Sequence, residues 1–389
     1  MRIAIIGFND FIHDGRQQRI ARSLQQQHEV KVFGIAQNDD ARPEVIEGVP
    51  TSIIALKTKK LSRHPAMQVF KYAEYYCRTI RAVAAFRPDA LLVVDISTLP
   101  FALFFRLRGI PFVYCANEYW RGTTNMTAYN SILFKALLLL EGPAARRAYR
   151  SFTVCGSIAD EMQQRYRIRK PLLVRNIPDT DYESGLGDSS VDRLRQAAGL
   201  DAGQKIALHV GGITSMRGLA TTIRSVAMWN EDIFLVFLGD GYLKAELIEL
   251  RNSLGLQERV IFLDPVPQNE VLEVIKTADA GIVSFENTCR NYYYALPNKF
   301  FQQALMRIPL LTSAFPEMKP IVDEYRLGDT FDPTSAEDIA DKVNRLIESG
   351  FAIDRADHER FASDYSWRNE EARLLGIFTS LERGLATLD

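Results

Sequence analysis

The sequence predicts an α/β chain made of two Rossmann-like domains, each a parallel sheet covered by helices. Three observations carry that expectation. Short apolar runs that read as buried strands alternate with amphipathic helical stretches along most of the chain. The alternation breaks once, in a polar stretch rich in Gly, Ser and Asp that starts at Asn176 (NIPDTDYESGLGDSS) and runs to about Ala202. A length of 389 residues suits two domains that each bury a core. The expected boundaries are a first domain over 1–178, a linker over 179–202 and a second domain over 203–364, with residues from about 365 to 389 forming a last amphipathic helix. Two such sheets joined by one linker would leave a cleft between them.

In order, Arg2–Gly7 reads as strand one, Phe8–Gly15 as a polar loop and Arg16–Gln27 as a helix with Ile20, Ala21 and Leu24 inward. Strand His28–Phe33 follows, and then strand Thr51–Leu56, a helix over Met67–Phe86 and strand Ala90–Val94, which ends in Asp95. Helix Leu99–Leu107, strand Phe112–Cys115, a long helix near Ser131–Tyr149 and strand Ser151–Val154 complete the first sheet, which Leu172–Val174 would close. The second domain opens with strand Ile206–Val210 and Gly211–Gly212, then a helix to Trp229 and strand Phe234–Leu238 before the turn Gly239–Gly241. A helix carrying Leu243, Leu247 and Leu250, strand Val260–Leu263 and helix Asn269–Thr277 lead to the apolar run Ala280–Phe285.

The organising stretch is Asn291–Ser313, NYYYALPNKFFQQALMRIPLLTS. Pro297 suits the start of a helix, where its missing N–H is not needed. Phe300, Phe301, Ala304 and Leu305 repeat at helical spacing, and Pro309 ends the run before strand Leu310–Thr312. A strand, a loop and a helix start therefore place free N–H groups and the cation Lys299 beyond the carboxyl end of a strand, where open parallel sheets bind ligands. A lysine in a first turn opposes the helix dipole, so an anion is expected there. Gly211–Gly212 lets a ligand approach backbone closely, and Arg217 offers a planar cation at a second helix start. Two cations on two helix starts suit a diphosphate. No GxxxxGK[ST] is present and no GxGxxG follows strand one, which disfavours a P-loop nucleotidase and a dinucleotide dehydrogenase. No Ser-His-Asp arrangement or metal-ligand spacing is visible, so no metal is expected.

Composition bounds the partners. The four cysteines (Cys77, Cys115, Cys155, Cys289) are scattered, which fits a reducing cytoplasm and no zinc site. MRIAIIGF reads as a strand and not a signal peptide, and no apolar run reaches the roughly 18 residues of a membrane span. The formal net charge of −1 hides an asymmetry: residues 1–180 carry 26 Lys and Arg against 15 Asp and Glu, and the rest 21 against 33. A dispersed basic half without a nucleic-acid motif points to an anionic membrane surface or a charged acceptor, and away from nucleic acid. Lys57, Lys59, Lys60 and Arg63, Arg16, Arg19 and Arg22, and Arg146, Arg147 and Arg150 mark the basic faces, with peripheral attachment at the inner face of the plasma membrane as the expectation.

These segments resemble the retaining glycosyltransferases of family 4, of the GT-B type, over nearly the whole chain. Arg2–Gly7 with Asp14–Gly15–Arg16 is similar to that family's opening strand and helix, and YCANEY (Tyr114–Tyr119) to its "YDxHE" segment. Glu141 through Ser157 and Asn176–Asp179 resemble further family segments. HVGGITSMRGL, FLGDG, LDPVPQNEV, ADAGIVSF and ALPNKFFQQALMRIPLL then follow in the order of its donor domain, the last close to "LPNKxFEYxxAGxP". YSWRNEEARLL resembles the terminal helix that crosses back to the first domain. The resemblance implies transfer of a sugar from a nucleotide-sugar donor to a glycan or lipid-linked acceptor, without metal and with retention. It implies that Arg217 and Lys299 hold the diphosphate and that Val266–Pro267 flank the base. Gly211, Gly212, Asn291, Tyr294, Asn298 and Gln302 would complete the donor side. Asn117 would touch the donor sugar, and Asp14, Gly15, Arg16 and Glu118 would serve the acceptor side. The leaving phosphate would itself take the acceptor proton.

The sequence departs from the family where a glutamate becomes Gln302, its partner becomes Tyr294, a histidine becomes Asn117 and a glycine becomes Ile308. Glutamine still hydrogen-bonds a hydroxyl but without charge assistance, and asparagine cannot switch protonation. Two other readings therefore stand beside the transferase: an inactive GT-B module that binds a partner or nucleotide sugar, and a nucleotide-sugar 2-epimerase using His13, Asp95 and Glu118.

Overall fold

In the computed structural model, residues 1–8, 11–35, 43–60, 65–123, 132–179, 192–267 and 270–384 are described. They form two compact units, Met1–Arg175 with Glu370–Asp389, and Asn176–Asn369.

The first unit is built on β1 (Arg2–Ile6), β2 (Glu29–Ile35), β3 (Val45–Ile46), β4 (Val49–Ile54), β5 (Ala90–Val94), β6 (Phe112–Ala116), β7 (Arg150–Thr153) and β8 (Leu172–Leu173). Their order in the sheet is β3-β4-β2-β1-β5-β6-β7-β8. Every neighbouring pair is parallel except the hairpin β3–β4. That hairpin turns on Glu47 and Gly48, both at positive φ, which is the conformation a two-residue turn between antiparallel strands requires. β5 (ALLVV) and β6 (FVYCA) are buried at every position because helices cover both faces of the sheet. The last helix, Trp367–Glu382, is fastened through Glu370, which is fully buried. Its carboxylate accepts from Arg175 N and Nη1, both at 3.0 Å, and from Arg373 Nη1 at 2.8 Å. The amino terminus of Met1 lies 3.1 Å from Glu382 on the same helix.

The second unit is an all-parallel sheet of β9 (Lys205–Val210), β10 (Ile233–Leu238), β11 (Val260–Leu263), β12 (Ala280–Val283), β13 (Leu310–Ser313) and β14 (Gly328–Phe331), in the order β11-β10-β9-β12-β13-β14. Alternate residues of β10 feed two cores: Leu235 and Phe237 join Ile223, Leu311 and Val343, while Val236 and Leu238 join Leu208, Ile275 and Ile308. In both sheets the strand order reverses beside the first strand, at β1/β5 and at β9/β12. Those switch points leave a crevice at the carboxyl ends of the strands.

Three segments differ from the sequence reading. Within the stretch read as linker, Arg193–Ala198 is a helix: Asp192 caps it by accepting from Arg195 N at 2.9 Å, and Leu194 is fully buried in the second core. One apolar anchor in polar surroundings gives no periodic signal. Arg290–Tyr293, read as loop, is a single helical turn. Helices Lys319–Glu324, Ala336–Glu348 and Arg355–Asp364 fill a region for which the reading proposed no elements.

Candidate functional site

At the β9/β12 switch point the chain is bent by residues with left-handed backbone. After β9, Gly211 has φ 105° and its N–H donates to Leu238 O at 2.9 Å. A Cβ on Gly239 or Gly241 would collide with the carbonyl oxygens of Gly211 and Ile213, so the loops after β9 and β10 touch backbone to backbone. Met216 has φ 66°, a costly conformation for a side chain of its size. Glu286 N donates to its carbonyl at 2.9 Å, and Thr288 Oγ1 lies 2.9 Å from its sulfur. Gly218 has φ 60°, and a Cβ there would strike Ser284 Oγ. Arg217 therefore stands between two left-handed residues, with its Nε donating to Thr214 Oγ1 at 2.9 Å.

The other wall comes from β12 and the helix Asn298–Leu305. Phe285 is locked to β13: its N–H donates to Ser313 Oγ at 2.8 Å and its carbonyl accepts from that hydroxyl at 2.9 Å. Over the Phe285 ring stand both Arg217, its Cζ 5.4 Å from the centroid, and Lys299, its Nζ at 5.5 Å. Lys299 is the second residue of the helix, whose N-cap Pro297 offers no side-chain cap. It is only 6% exposed, and its Nζ lies 3.4 Å from Nε2 of His209, itself 1% exposed near the end of β9. Among the described residues no carboxylate forms an ion pair with Lys299.

The electrostatics follow from that crowding. Burial first, and then Arg217, hold the Lys299 ammonium well below its ordinary value. Burial, then Lys299 and Arg217, push His209 well below the histidine range, so its imidazole is neutral. Isolated buried charge is costly by several kcal/mol, and a bound anion offsets that cost directly. The arrangement suits an anion, and it brings Arg217 and Lys299 of the sequence reading together beside the Gly211–Gly212 loop. A Cβ on Gly212 would make only ordinary contacts, so its sterics inside the protein do not require glycine.

The remaining donor-side residues lie on the same sheet edge. Asn298 opens the helix, and its Oδ1 is buried without a hydrogen-bond partner among the described residues. Gln302 follows one turn later and is 5% exposed. Asn291 is buried on the one-turn helix, and Tyr294 caps that turn through its N–H to Arg290 O at 3.0 Å. Val266 packs on the second core and Pro267 is exposed, both after β11 and two strands away from β9.

The candidate residues of the first unit gather at its own switch point. Asp14 is the N-cap of helix Gly15–Gln25, accepting from Gln17 N at 3.0 Å and Gln17 Nε2 at 2.7 Å, a structural use the sequence reading did not foresee. Gly15 has no close neighbour that would exclude a side chain. Arg16 is buried and donates from Nη2 to Val174 O at 2.8 Å. Asp95, directly after β5, has φ 60° and ψ 173°, a region nearly reserved for glycine. It accepts from Asn117 N at 2.9 Å, and Asn117 Oδ1 lies 3.2 Å from Cys115 Sγ. Burial, then the charge of Glu118, raise the Asp95 carboxyl to about 7. Glu118 itself is exposed. Asn9, Asp10 and Arg63 lie outside the described residues, as does the side chain of His13. The basic faces of the sequence reading need correction: Arg16, Arg19 and Arg150 are under 10% exposed and belong to the interior.

Sequence reasoning passed over His209, Phe285, Ser313 and the strained Met216. The available signal was chemical: a histidine inside the apolar strand KIALHV, one residue short of the glycine pair.

Residues 16–176 match the family description "Glycosyl transferase 4-like domain" and residues 190–363 match "Glycosyl transferases group 1". Two uncharacterized glycosyltransferases of Methanocaldococcus jannaschii are 21% and 20% identical over 65% and 63% of this chain. The matches take in 62% and 63% of those proteins, so the chain spans a little under two thirds of the curated relatives it matches. Among solved structures, sucrose-phosphate synthase from Thermosynechococcus elongatus has a TM-score of 0.78 at 16% identity, with 99% of this chain and 100% of that one covered. Anabaena HepE in complex with UDP-glucose has 0.74 at 14% identity, covering 98% and 100%. WaaG, a glycosyltransferase involved in lipopolysaccharide biosynthesis, has 0.69 at 16% identity, covering 95% and 98%. At such identities these likenesses show the fold, which is that of GT-B glycosyltransferases.

Proposed function

Both halves of this chain belong to the glycosyltransferases, and we propose that it is a retaining enzyme that moves a sugar from a nucleotide-sugar donor to a lipid-linked or polysaccharide acceptor in surface-glycan biosynthesis. The observation that carries the reading is the pair of half-buried Arg217 and buried Lys299 over the Phe285 ring, two basic side chains at one place beside the glycine loop. A nucleoside diphosphate leaving group develops charge as the glycosidic bond breaks. Fixed cations in a site that excludes water stabilise that charge most where it is greatest, in the transition state. Asn298 and Gln302 offer neutral hydrogen-bonding groups to the hydroxyls of the ribose and sugar, with Asn291 and Tyr294 beside them, and Val266–Pro267 offers backbone to the base. That HepE was solved with UDP-glucose supports a nucleotide sugar as donor, and the involvement of WaaG in lipopolysaccharide biosynthesis supports a surface glycan as product.

On the acceptor side the reading keeps Asn117, Glu118, Gly15 and Arg16, with Asp14 shaping the helix start. No base from the protein is required when the departing phosphate takes the acceptor proton, and no metal is assigned. Among the described residues there is no helix long and apolar enough to cross a membrane and no cluster of three metal-ligating side chains. Peripheral attachment is supported by the outer face of helix Ile132–Ala145, where Ile132 is 88% and Leu139 70% exposed near exposed Lys135, Arg146 and Arg147. Attachment of this kind is salt-sensitive and needs anionic lipid, so flotation with neutral vesicles serves as its control.

The test of the transferase reading is release of the nucleotide from a panel of UDP-, GDP-, ADP- and CMP-sugars (the nucleoside diphosphate from the first three, CMP from the last), with the anomeric configuration of the product read by NMR. Retained configuration with one donor is the expected result, and inversion or no release with any donor counts against it. The 2-epimerase reading draws on one observation, the Asp95 carboxyl raised to about 7 in the range of an acid-base group. Solvent deuterium appearing at sugar C2 without acceptor would favour it.

A further inference from the structure

His209 has no role in donor binding or transfer as proposed, and its ring faces the backbone of Gly212 and Ile282 as well as the Lys299 side chain. It sits in the apolar strand β9, 1% exposed, with its ring 5.5 Å from that of Phe237. A leucine or phenylalanine would fill such a place without the cost of a buried polar ring. What distinguishes the position is Lys299 Nζ at 3.4 Å from Nε2. Among the described residues Nε2 is the side-chain acceptor within hydrogen-bond reach of that ammonium, which has no ion-pair partner. Arg217 repels the ammonium from one side, and the Phe285 ring lies 5.5 Å from it on another.

We propose that His209 is a positioning residue of the anion site: its imidazole accepts from Lys299, fixes where the amino group stands when the site is empty, and releases it toward a diphosphate as one arrives. The proposal deepens the donor-site reading and rests on it. It also gives the site a proton linkage. The groups that face Lys299 are His209 from β9, Arg217 from the loop after β9 and the uncharged Phe285 ring after β12. In the empty site burial and Arg217 favour the neutral amine, and an anion reverses that preference. Binding therefore takes up protons, and affinity falls as pH rises through the empty site's lowered lysine value. An acceptor at Nε2 favours the ammonium, so removing it moves that fall to lower pH.

The experiment is isothermal titration of the full chain with inorganic pyrophosphate, in two buffers of different ionisation enthalpy and across pH about 6 to 9. Beyond the proton change that pyrophosphate's own ionisation contributes to every variant, the wild type is expected to take up a fraction of a proton on binding. His209→Leu is expected to weaken pyrophosphate about tenfold and to shift the fall in affinity to lower pH. His209→Gln, whose amide oxygen reaches near the Nε2 position, is expected to restore most of both. If His209→Leu does not fold, His209→Asn takes its place, because its amide ends short of Nε2: loss in Asn with recovery in Gln supports the proposal, and equal behaviour of the two overturns it. Wild-type affinity and pH profile in His209→Leu, with Arg217→Ala and Lys299→Ala both losing pyrophosphate, would overturn the role of His209 and leave the donor site standing. Pyrophosphate binding that survives both cation variants, or is absent from the wild type, overturns the site reading and the proposal together.

Discussion

Arg16 and Arg217 occupy corresponding places, each at the start of the helix that follows the first strand of its sheet, and they meet opposite neighbours. Across the switch point from β1 lies β5, and the residue directly after it is Asp95, whose charge acts on Arg16. Across the switch point from β9 lies β12, and the residue directly after it is Ser284, followed by the apolar ring of Phe285. In the first unit a carboxylate supplies the local negative charge, and Arg16 also donates to Val174 O. In the second unit a hydroxyl and a benzene ring stand where that carboxylate would be, and a second cation, Lys299, is added. Two sheets of the same topology thus differ in whether a carboxylate or a second basic side chain stands beside the strand-end arginine.

The largest expected effect follows from removing either cation. Arg217→Ala and Lys299→Ala should each lower kcat/KM by about 100- to 1,000-fold, the scale of one lost group that stabilises developing negative charge. Steady-state kinetics on the donor found in the panel measures it, and near-native turnover in both variants would mean that the second unit's charge imbalance is not used in catalysis.

Backbone strain sharpens the same comparison. Gly218→Ala places a side chain at φ 60° and against Ser284 Oγ, so it should destabilise the protein by about 2–3 kcal/mol and displace Arg217. Urea unfolding with an unchanged m-value would show the first effect.

The first unit's buried carboxylate shows itself as pH dependence. The Asp95 carboxyl is raised from 3.8 in an unfolded chain to about 7, so the folded state holds the proton more tightly. The contribution of this group to stability is therefore complete below about pH 4, is lost as pH rises toward 7 and stays lost above it. Asp95→Asn should flatten that decline, with a gain on the order of 1–3 kcal/mol at pH 8 and almost none at pH 4. Thermal unfolding of both proteins across pH reads it, and a gain independent of pH would place the effect elsewhere.

The smallest expected effect is that of EDTA, which should leave transfer within about twofold because Arg217, Lys299 and the helix start provide the positive charge. Loss on chelation with recovery on adding magnesium would reassign that role to a metal.

Much of this was legible in the residues. Ala90–Val94 and Val260–Leu263 were read with the ends that the structure gives them, because continuous apolar runs flanked by polar residues leave little choice. Arg217 and Lys299 were legible as a pair because each stands at a helix start after a strand. What was not legible depends on contacts distant in sequence. His209 and Lys299 are 90 positions apart, and nothing local in either marks the 3.4 Å contact. The helix Arg193–Ala198 is held by Leu194 and by the ion pair of Arg195 with Asp279, also far along the chain. Arg16 and Arg19 looked like a solvated basic face because polarity alone cannot reveal that neighbouring elements cover them.

The most direct measurement is a thermal-shift panel of UDP-, GDP-, ADP- and CMP-sugars on the wild type, Arg217→Ala and Lys299→Ala. The expected result is that one nucleotide class raises the wild-type Tm by several degrees, at ligand in about 100-fold excess over its Kd, and shifts neither variant. A wild type indifferent to every nucleotide sugar, or variants stabilised as much as the wild type, would contradict it.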